Sequence, residues 1–542
     1  MACHNPIIPG FAPDPSIVCI EDTFYLVTSS FHLFPGLPIY ASKDLLSWRH
    51  IGNAINRPSQ LDLSKSSANL TPPTDSSVSG DKVIVTGGLN APTIRHYNGI
   101  TYIICTNVIH DVEHEGSHSE PTVTFDNFII FTTNIGSGQW SNPVRFAFNG
   151  IDPDLFFDSD GRVYVAGSSW STNPCTITCF EIDIQTGARL SAEVVIWGGH
   201  DKIIPEGPHI YKRNGYYYLL DAEGGTHERH RIAMARARSI WGPYESCEHN
   251  PLLRPAAGNA YCQYNGHGDL IKDTHGRLWM VCLGVRRDRK GRIVLGRETF
   301  LTPVEWPEDQ PWPRIQQPIP RTLQRHDHHG ASLFSASRSA IPSPFVPTMD
   351  YVWIRHPGLA GCEISADGKT ISLTPSETDL SECTGQPISF VGRRQRLLEG
   401  SATVALTIPH LKSASELKVG LAYYKDEHRY VRIFCDTKSA MIVFEVFNRA
   451  KHPPIAIRRT VASYRIKHAS PARVGLKIVY SERLLHFLYR NETYKSLETW
   501  ASVPGGIVDT QDLTAADFTG PLIGVFAVGS GDEVCTFDEV II

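Results

Sequence analysis

The chain has 542 residues and lacks most patterns that mark a membrane, nucleic-acid or zinc protein. No apolar run approaches the roughly 18–20 residues that span a bilayer as a helix. Its formal net charge is -5 at pH 7, without the basic excess that phosphate backbones or anionic lipid surfaces attract. Neither a nucleic acid nor a membrane is therefore expected as a partner. The one basic cluster, Arg286-Arg287-Asp288-Arg289-Lys290, is short and reads as a solvated hairpin tip. Cysteines number 12 and are scattered, mostly in apolar runs such as TYIICTN at Cys105 and WMVCLG at Cys282. That is the usage of reduced, buried thiols. Cys175 and Cys179 lie close together, but no further Cys/His pair completes a zinc site. The first residues, MACHNPIIPG, lack the charged start and apolar core of a signal peptide. A cytoplasmic protein is expected, or a secreted one whose leader has been removed. The sequons at Asn69 and Asn491 would matter only in the second case. Helical periodicity is scarce throughout.

What is present is repetition. Five stretches rhyme: FAPDPSIVCIEDTFYL from Phe11, NAPTIRHYNGITYII from Asn90, GIDPDLFFDSDGRVYV from Gly150, EGPHIYKRNGYYYLL from Glu206 and GHGDLIKDTHGRLWMV from Gly266. Their starts lie 79, 60, 56 and 60 residues apart. A four-stranded propeller blade needs about 40 residues or more, so these intervals fit five blades with long loops. Within each copy a strand, a tight turn and an aromatic strand follow in order. Asn98-Gly99 and Asn214-Gly215 are strong signals for a two-residue hairpin, whose turn needs positive φ at both positions. Asp160-Gly161 and His275-Gly276 stand at the matching places. Aligned on the Ile or Leu that opens each strand, the copies stack Asp14, Ala91, Asp152, Gly207 and His267 in one column, with Glu206 one place earlier. Innermost propeller strands line a central channel, so one repeat position brings different side chains to one place.

Repeats stop near residue 310, and residues 1–320 are read as the propeller. Residues 321–342, rich in Ser, Pro and His, read as a linker. Its His326, His328 and His329 lack a rigid element to fix a metal geometry, and a solvated linker is the reading. From 343 to 542 alternating strands recur, among them TVALTI, LKVGLAYY, MIVFEVF and PLIGVFAV, with turn signals between them. That describes an antiparallel β-sandwich of jelly-roll or concanavalin A-like type. The fold class is all-β.

Asp14 lies between Pro13 and Pro15, and Asp152 precedes Pro153. Proline restricts its own backbone and that of the residue before it, which holds these carboxylates rigidly. Glu206 lies between Pro205 and Gly207-Pro208, where glycine permits close backbone approach. Asp154, Asp158 and Asp269 read instead as turn or cap residues. Two converging carboxyl groups suit hydrolysis of a glycosidic bond. One donates a proton to the leaving oxygen, and the other activates water or attacks the anomeric carbon. A third carboxylate raises the acid's pKa by like-charge repulsion. These residues alone leave inversion and retention both open.

The stretches NPIIPGFAPDPSI, SSFHLFPGLPIYASKDLLSW, GIDPDLFFDSDGR, EGPHIYKRNGYYYLL, EGGTHE, GHGDL and LGRETF resemble glycoside hydrolase family 43. The group resembled is that of β-xylosidases and α-L-arabinofuranosidases with a C-terminal sandwich domain. The resemblance implies a five-bladed propeller and an inverting, exo-acting hydrolase. Its substrate would be terminal β-D-xylose or α-L-arabinofuranose on xylan-derived oligosaccharides, and no cofactor would be required. Carried over, Asp14 would be the general base, Glu206 the general acid and Asp152 the residue that tunes and orients the acid. Arg297 would bind sugar hydroxyls. His267 would act as a hydrogen-bond partner or, through water, on a bound structural cation; no metal ligand is certain. Phe31 and Thr226 match residues of the sugar subsite, although Phe31 by pattern alone reads as core. Phe518 is the candidate for an aromatic sent in from the sandwich. Oligomerisation is left open. One departure stands out: typical xylosidases of this group carry Trp just before the Ala-Pro of the second repeat, and here Asn90 stands in its place. Loss of that ring should weaken stacking and widen one wall. A β-fructosidase is disfavoured by the absence of a WMNDPNG-like start and a Glu-Cys acid. A non-catalytic carbohydrate-binding propeller would predict loss of a carboxylate among Asp14, Asp152 and Glu206, and none is lost.

Overall fold

The computed structural model of the protein describes all residues except 1–2, 73–80, 111–122, 255–259, 319–321, 324–347, 356–360, 384, 409–415, 465–471, 494–495, 498, 515–517 and 532. The linker histidines fall outside the described residues. Five four-stranded antiparallel sheets follow one another, each with strands in simple up-and-down order. Their innermost strands are Ser16–Ile20, Gly88–Tyr97, Gly150–Phe157, Glu206–Arg213 and Cys262–Lys272, which define blades I to V. Each innermost strand contacts its neighbours in turn, and blade V contacts blade I. These are the five rhyming stretches. The ring is closed by the N-terminal segment, which runs beside the third strand of blade V, Arg297–Glu305. Ile7 N donates to Thr299 O (2.9 Å), and Ala12 N to Arg297 O (3.0 Å). Packing between blades is apolar, as in the cluster of Tyr218, Leu220, Met234, Leu270 and Phe300 between blades IV and V.

The hairpin turns follow the chemistry read from the sequence. Asn98 and Gly99 have φ of 49° and 75°, and Asn214 and Gly215 have 48° and 73°. In the copies at Asp160-Gly161 and His275-Gly276 only the glycines are left-handed, at 87° and 81°. There Gly161 N donates to Asp158 O and Asp158 N to Arg162 O, a longer loop that ends on a left-handed glycine. Asp158 is thus a turn residue, as expected.

From Tyr351 onward the described chain forms two antiparallel sheets packed face to face. Their shared core includes Val404, Leu421, Ile433, Phe444, Leu476 and Val525. The sandwich is not a free appendage. Its strand Tyr351–Ile354 pairs with Leu33–Phe34 of the propeller, through Trp353↔Phe34 and Ile354↔Leu33. A second contact bears on the channel mouth. A Cβ on Gly520 would lie 2.2 Å from Leu295 O, and one on Gly296 would lie 2.6 Å from Thr519 O. Glycine is needed at both places for the two backbones to touch, and this contact brings Phe518 to Arg297.

Candidate active site

The column aligned from the sequence is one structural position. Asp14, Ala91, Asp152, Gly207 and His267 all have left-handed backbones, with φ of 51°, 43°, 55°, 55° and 46°. In blades II to V the pairing with the second strand slips at this point. A bulge of this kind re-aims a side chain; left-handed geometry also costs free energy for residues other than glycine and is frequent at active sites. The ring of blades then brings the five positions together.

Asp14 is buried and held from two sides. Ser29 Oγ donates to its Oδ2 (2.6 Å), and Arg297 Nη1 reaches its Oδ1 (3.3 Å). Ser29 is itself fixed by accepting from Ala91 N (2.7 Å). Burial pushes the Asp14 carboxyl up, but Arg297, His267 and the Ser29 hydroxyl outweigh it and hold the group below its ordinary value. Asp152 accepts from Gly207 N (3.0 Å). Burial, and then the negative Asp14, push it up. Glu206 is also pushed up, by burial first and then by Asp152 and Asp14, with Arg297 opposing. The site therefore joins one ionised carboxylate to a pair of carboxyls that retain a proton near neutral pH.

Arg297 ties the walls together. It donates from Nη1 to Thr226 Oγ1 (3.0 Å) and from Nε to Phe518 O (3.3 Å). Its guanidinium stands 4.5 Å from the Phe518 ring centroid and 5.4 Å from that of Phe31. Phe31 is 1% exposed and stacks between Phe11 (5.7 Å) and Phe518 (6.0 Å). It is part of the packed core, as its sequence pattern suggested. Asn90 is half-buried, opposite Thr106 on the second strand of blade II, and its Oδ1 has no hydrogen-bond partner among the described residues. His267 Nδ1 is 4.0 Å from both Asp14 Oδ1 and Asp152 Oδ2, beyond direct hydrogen-bonding distance. Burial lowers its pKa to about 4, so the ring is neutral. Among the described residues no group of three or more His, Cys, Asp or Glu is placed to hold a metal.

The site rests on a buried ionic floor that corrects the reading of Asp154 and Asp269 as turn or cap residues. Arg95 donates to Asp154 Oδ1 (2.7 Å) and Asp269 Oδ2 (2.8 Å). Asp269 also accepts from Ser16 Oγ (2.7 Å) and Tyr211 Oη (2.7 Å). Asp154 accepts from Ile210 N (2.8 Å). Residues from all five blades except the second supply oxygens or hydroxyls, and the second supplies the arginine. Breaking one partner of such a buried network costs about 3–5 kcal/mol. The basic cluster also needs correction. Arg286 is not solvated but clasps the buried Glu298 through two bonds of 2.8 Å. Sequence reasoning also passed over Ser29 and His230. The histidine lies beside Glu206 and was visible only as the last letter of EGGTHERH.

A family model described as "Glycosyl hydrolases family 43" matches residues 3–313. Another, described as "Beta xylosidase C-terminal Concanavalin A-like domain", matches residues 347–540. A non-reducing end alpha-L-arabinofuranosidase of Bacteroides ovatus is 30% identical over 537 residues, covering 97% of this chain and 92% of the relative. A xylosidase/arabinosidase of Butyrivibrio fibrisolvens is 40% identical over 333 residues, covering 59% of this chain and 57% of that protein. The crystal structure of a xylan beta-1,4-xylosidase from Bacillus halodurans superposes with a TM-score of 0.80 at 26% identity, covering 99% of both chains. With its catalytic-domain model spanning more than half the length and a relative matching nearly end to end, the chain belongs to glycosyl hydrolase family 43 and is an inverting, exo-acting glycoside hydrolase.

Proposed function

We propose that the protein is a pentosidase that removes terminal β-D-xylose or α-L-arabinofuranose from xylan-derived oligosaccharides, with Asp14 as base and Glu206 as acid. The observation that carries this reading is the opposed protonation of carboxyl groups that the five blades bring to one place. Asp14 is held ionised by Arg297 and Ser29, the state needed to take a proton from water. Glu206 is kept protonated by burial and by Asp152, the state needed to give one to the glycosidic oxygen. As the bond from C1 to the leaving oxygen breaks, that oxygen takes the Glu206 proton. Water adds to the opposite face of C1 and loses its proton to Asp14. Asp152 has two effects: its charge disfavours ionisation of Glu206, and its bond to Gly207 N fixes the backbone beside the acid. Arg297 offers charge-assisted donors to sugar hydroxyls, and Phe518 adds an apolar wall beside it.

The choice of pentose is assigned to Asn90. A polar side chain there offers hydrogen bonds in place of ring stacking, which fits a sugar with an exocyclic hydroxymethyl group, as in arabinofuranose. Relatives carrying both names support a dual activity. The test is release of nitrophenol from 4-nitrophenyl β-D-xyloside and α-L-arabinofuranoside, together with release of free pentose from short xylan oligosaccharides. Turnover of at least one substrate is expected; no turnover of any would overturn the reading.

A further inference from the structure

His230 occupies the first position before the third strand of blade IV, Arg231–Ala237, and is 1% exposed. Its Nδ1 lies 3.1 Å from Tyr264 O. A carbonyl can only accept, so Nδ1 carries the hydrogen and Nε2 bears an unshared electron pair. That Nε2 is buried, has no hydrogen-bond partner among the described residues, and lies 3.7 Å from Glu206 Oε1. The bond to Tyr264 O sets the orientation of the ring. The ring lies flat on Gly266, where a Cβ would come within 2.2, 2.3 and 2.4 Å of three of its atoms. This gives the first glycine of GHGD a role: it makes room for an imidazole from the neighbouring blade.

We propose that His230 is a positioning residue for the acid: fixed as the Nδ1–H tautomer, it turns a lone pair toward Glu206 and so favours the protonated carboxyl. A carboxylate oxygen facing that lone pair is repelled. A protonated Oε1 becomes a donor to it after a movement of about 0.8 Å, since such bonds close near 2.9 Å. The proton stays on Glu206 until the bond from C1 to the leaving oxygen stretches and that oxygen gains the negative charge that makes it the stronger base; it then takes the proton, and His230 neither gains nor loses one in the cycle. Among the described residues no other group supplies the missing partner. The charged and titratable neighbours of the two residues are Asp14, Asp152, Cys175, His267 and Arg297. Arg297 directs its bonds to Asp14, Thr226 and Phe518 O. Burial keeps the His230 ring neutral, with a pKa lowered to about 3, as an acceptor must be.

The inference rests on Glu206 as the acid, and its test separates the two. The pH profile of kcat/KM is measured for the wild type and His230→Phe, on an oligosaccharide and on the nitrophenyl glycoside of the same sugar. His230→Leu is measured alongside should the larger ring not fold, and melting curves confirm folding. The basic limb reports loss of the acid's proton. In the variant that limb should move to lower pH by about one unit on the oligosaccharide, while the acidic limb, set by Asp14, stays. A folded variant with a lower rate but an unmoved basic limb overturns the role of His230. Glu206→Gln with full oligosaccharide activity would instead overturn the assignment of the acid.

Discussion

Replacing Glu206 by Gln isolates proton donation with little electrostatic disturbance. In the resting site burial and the Asp152 and Asp14 charges keep Glu206 uncharged at neutral pH. Glutamine keeps the shape and the absence of charge, so Asp14, Asp152 and Arg297 see almost the same field. What is lost is the transferable proton. General acid catalysis contributes about 10²- to 10⁴-fold, or roughly 3–5 kcal/mol of barrier, when the leaving group is a sugar hydroxyl that departs poorly as an anion. A nitrophenolate leaves without help, so its loss should stay below about tenfold by the same reasoning. The assay compares kcat/KM for an oligosaccharide and a 4-nitrophenyl glycoside of the same sugar in both proteins. KM should change little, because the pocket keeps its charge. Equal losses on both substrates would refute the acid role; a large rise in KM with unchanged kcat would refute the claim that Glu206 is uncharged.

Other predictions follow from the same site. Asp14→Asn should lower kcat on both substrates by about 10³-fold or more, since water activation is needed whatever leaves; a wild-type rate on the activated glycoside would remove Asp14 as base. Glu206→Gln should also stabilise the fold, and the gain should grow as pH rises from 5 to 8. The folded-state pKa of Glu206 is raised, so the native chain binds the extra proton and wild-type stability falls with pH in that window. Melting curves at the two pH values read the sign, and a gain that shrinks toward pH 8 would contradict it. Asn90→Trp should raise the ratio of xyloside to arabinofuranoside kcat/KM by about tenfold, the worth of one aromatic contact of about 1 kcal/mol or slightly more; an unchanged ratio would show that Asn90 does not choose the sugar.

Most of this site was legible because it is built on repetition. Asp14, Asp152 and Glu206 stood out as chemistry in a repeated frame, and the structure gives that frame a backbone cause in five left-handed residues at one blade position. What escaped the reading depends on contacts between residues far apart in the chain, some within one blade and some between blades. Asp154 and Asp269 look like turn residues along the chain, yet they share Arg95 of another blade. Ser29 and His230 matter only through Asp14 and Glu206, which lie 15 and 24 residues away in sequence. Asp14 is held by Ser29, and Glu206 has His230 facing it from the residue just before the third strand of its own blade. Phe518 was found by family resemblance rather than by pattern. The contact that brings it in rests on Gly296 and Gly520, two glycines with no side chain to announce them. The pairing of Leu33–Phe34 with the sandwich was hidden for a similar reason, because a two-residue strand carries no periodicity.

The central claim is that Asp14 directs water to the face of the sugar opposite the oxygen protonated by Glu206. Proton NMR during hydrolysis of an unmodified oligosaccharide tests it most directly, by recording the anomer formed before mutarotation. The account predicts that the first product has the inverted configuration, α-xylose from a β-xyloside or β-arabinose from an α-arabinofuranoside. First appearance of the retained anomer would mean that a carboxylate attacks the sugar itself, and would contradict the assignment of Asp14 as base.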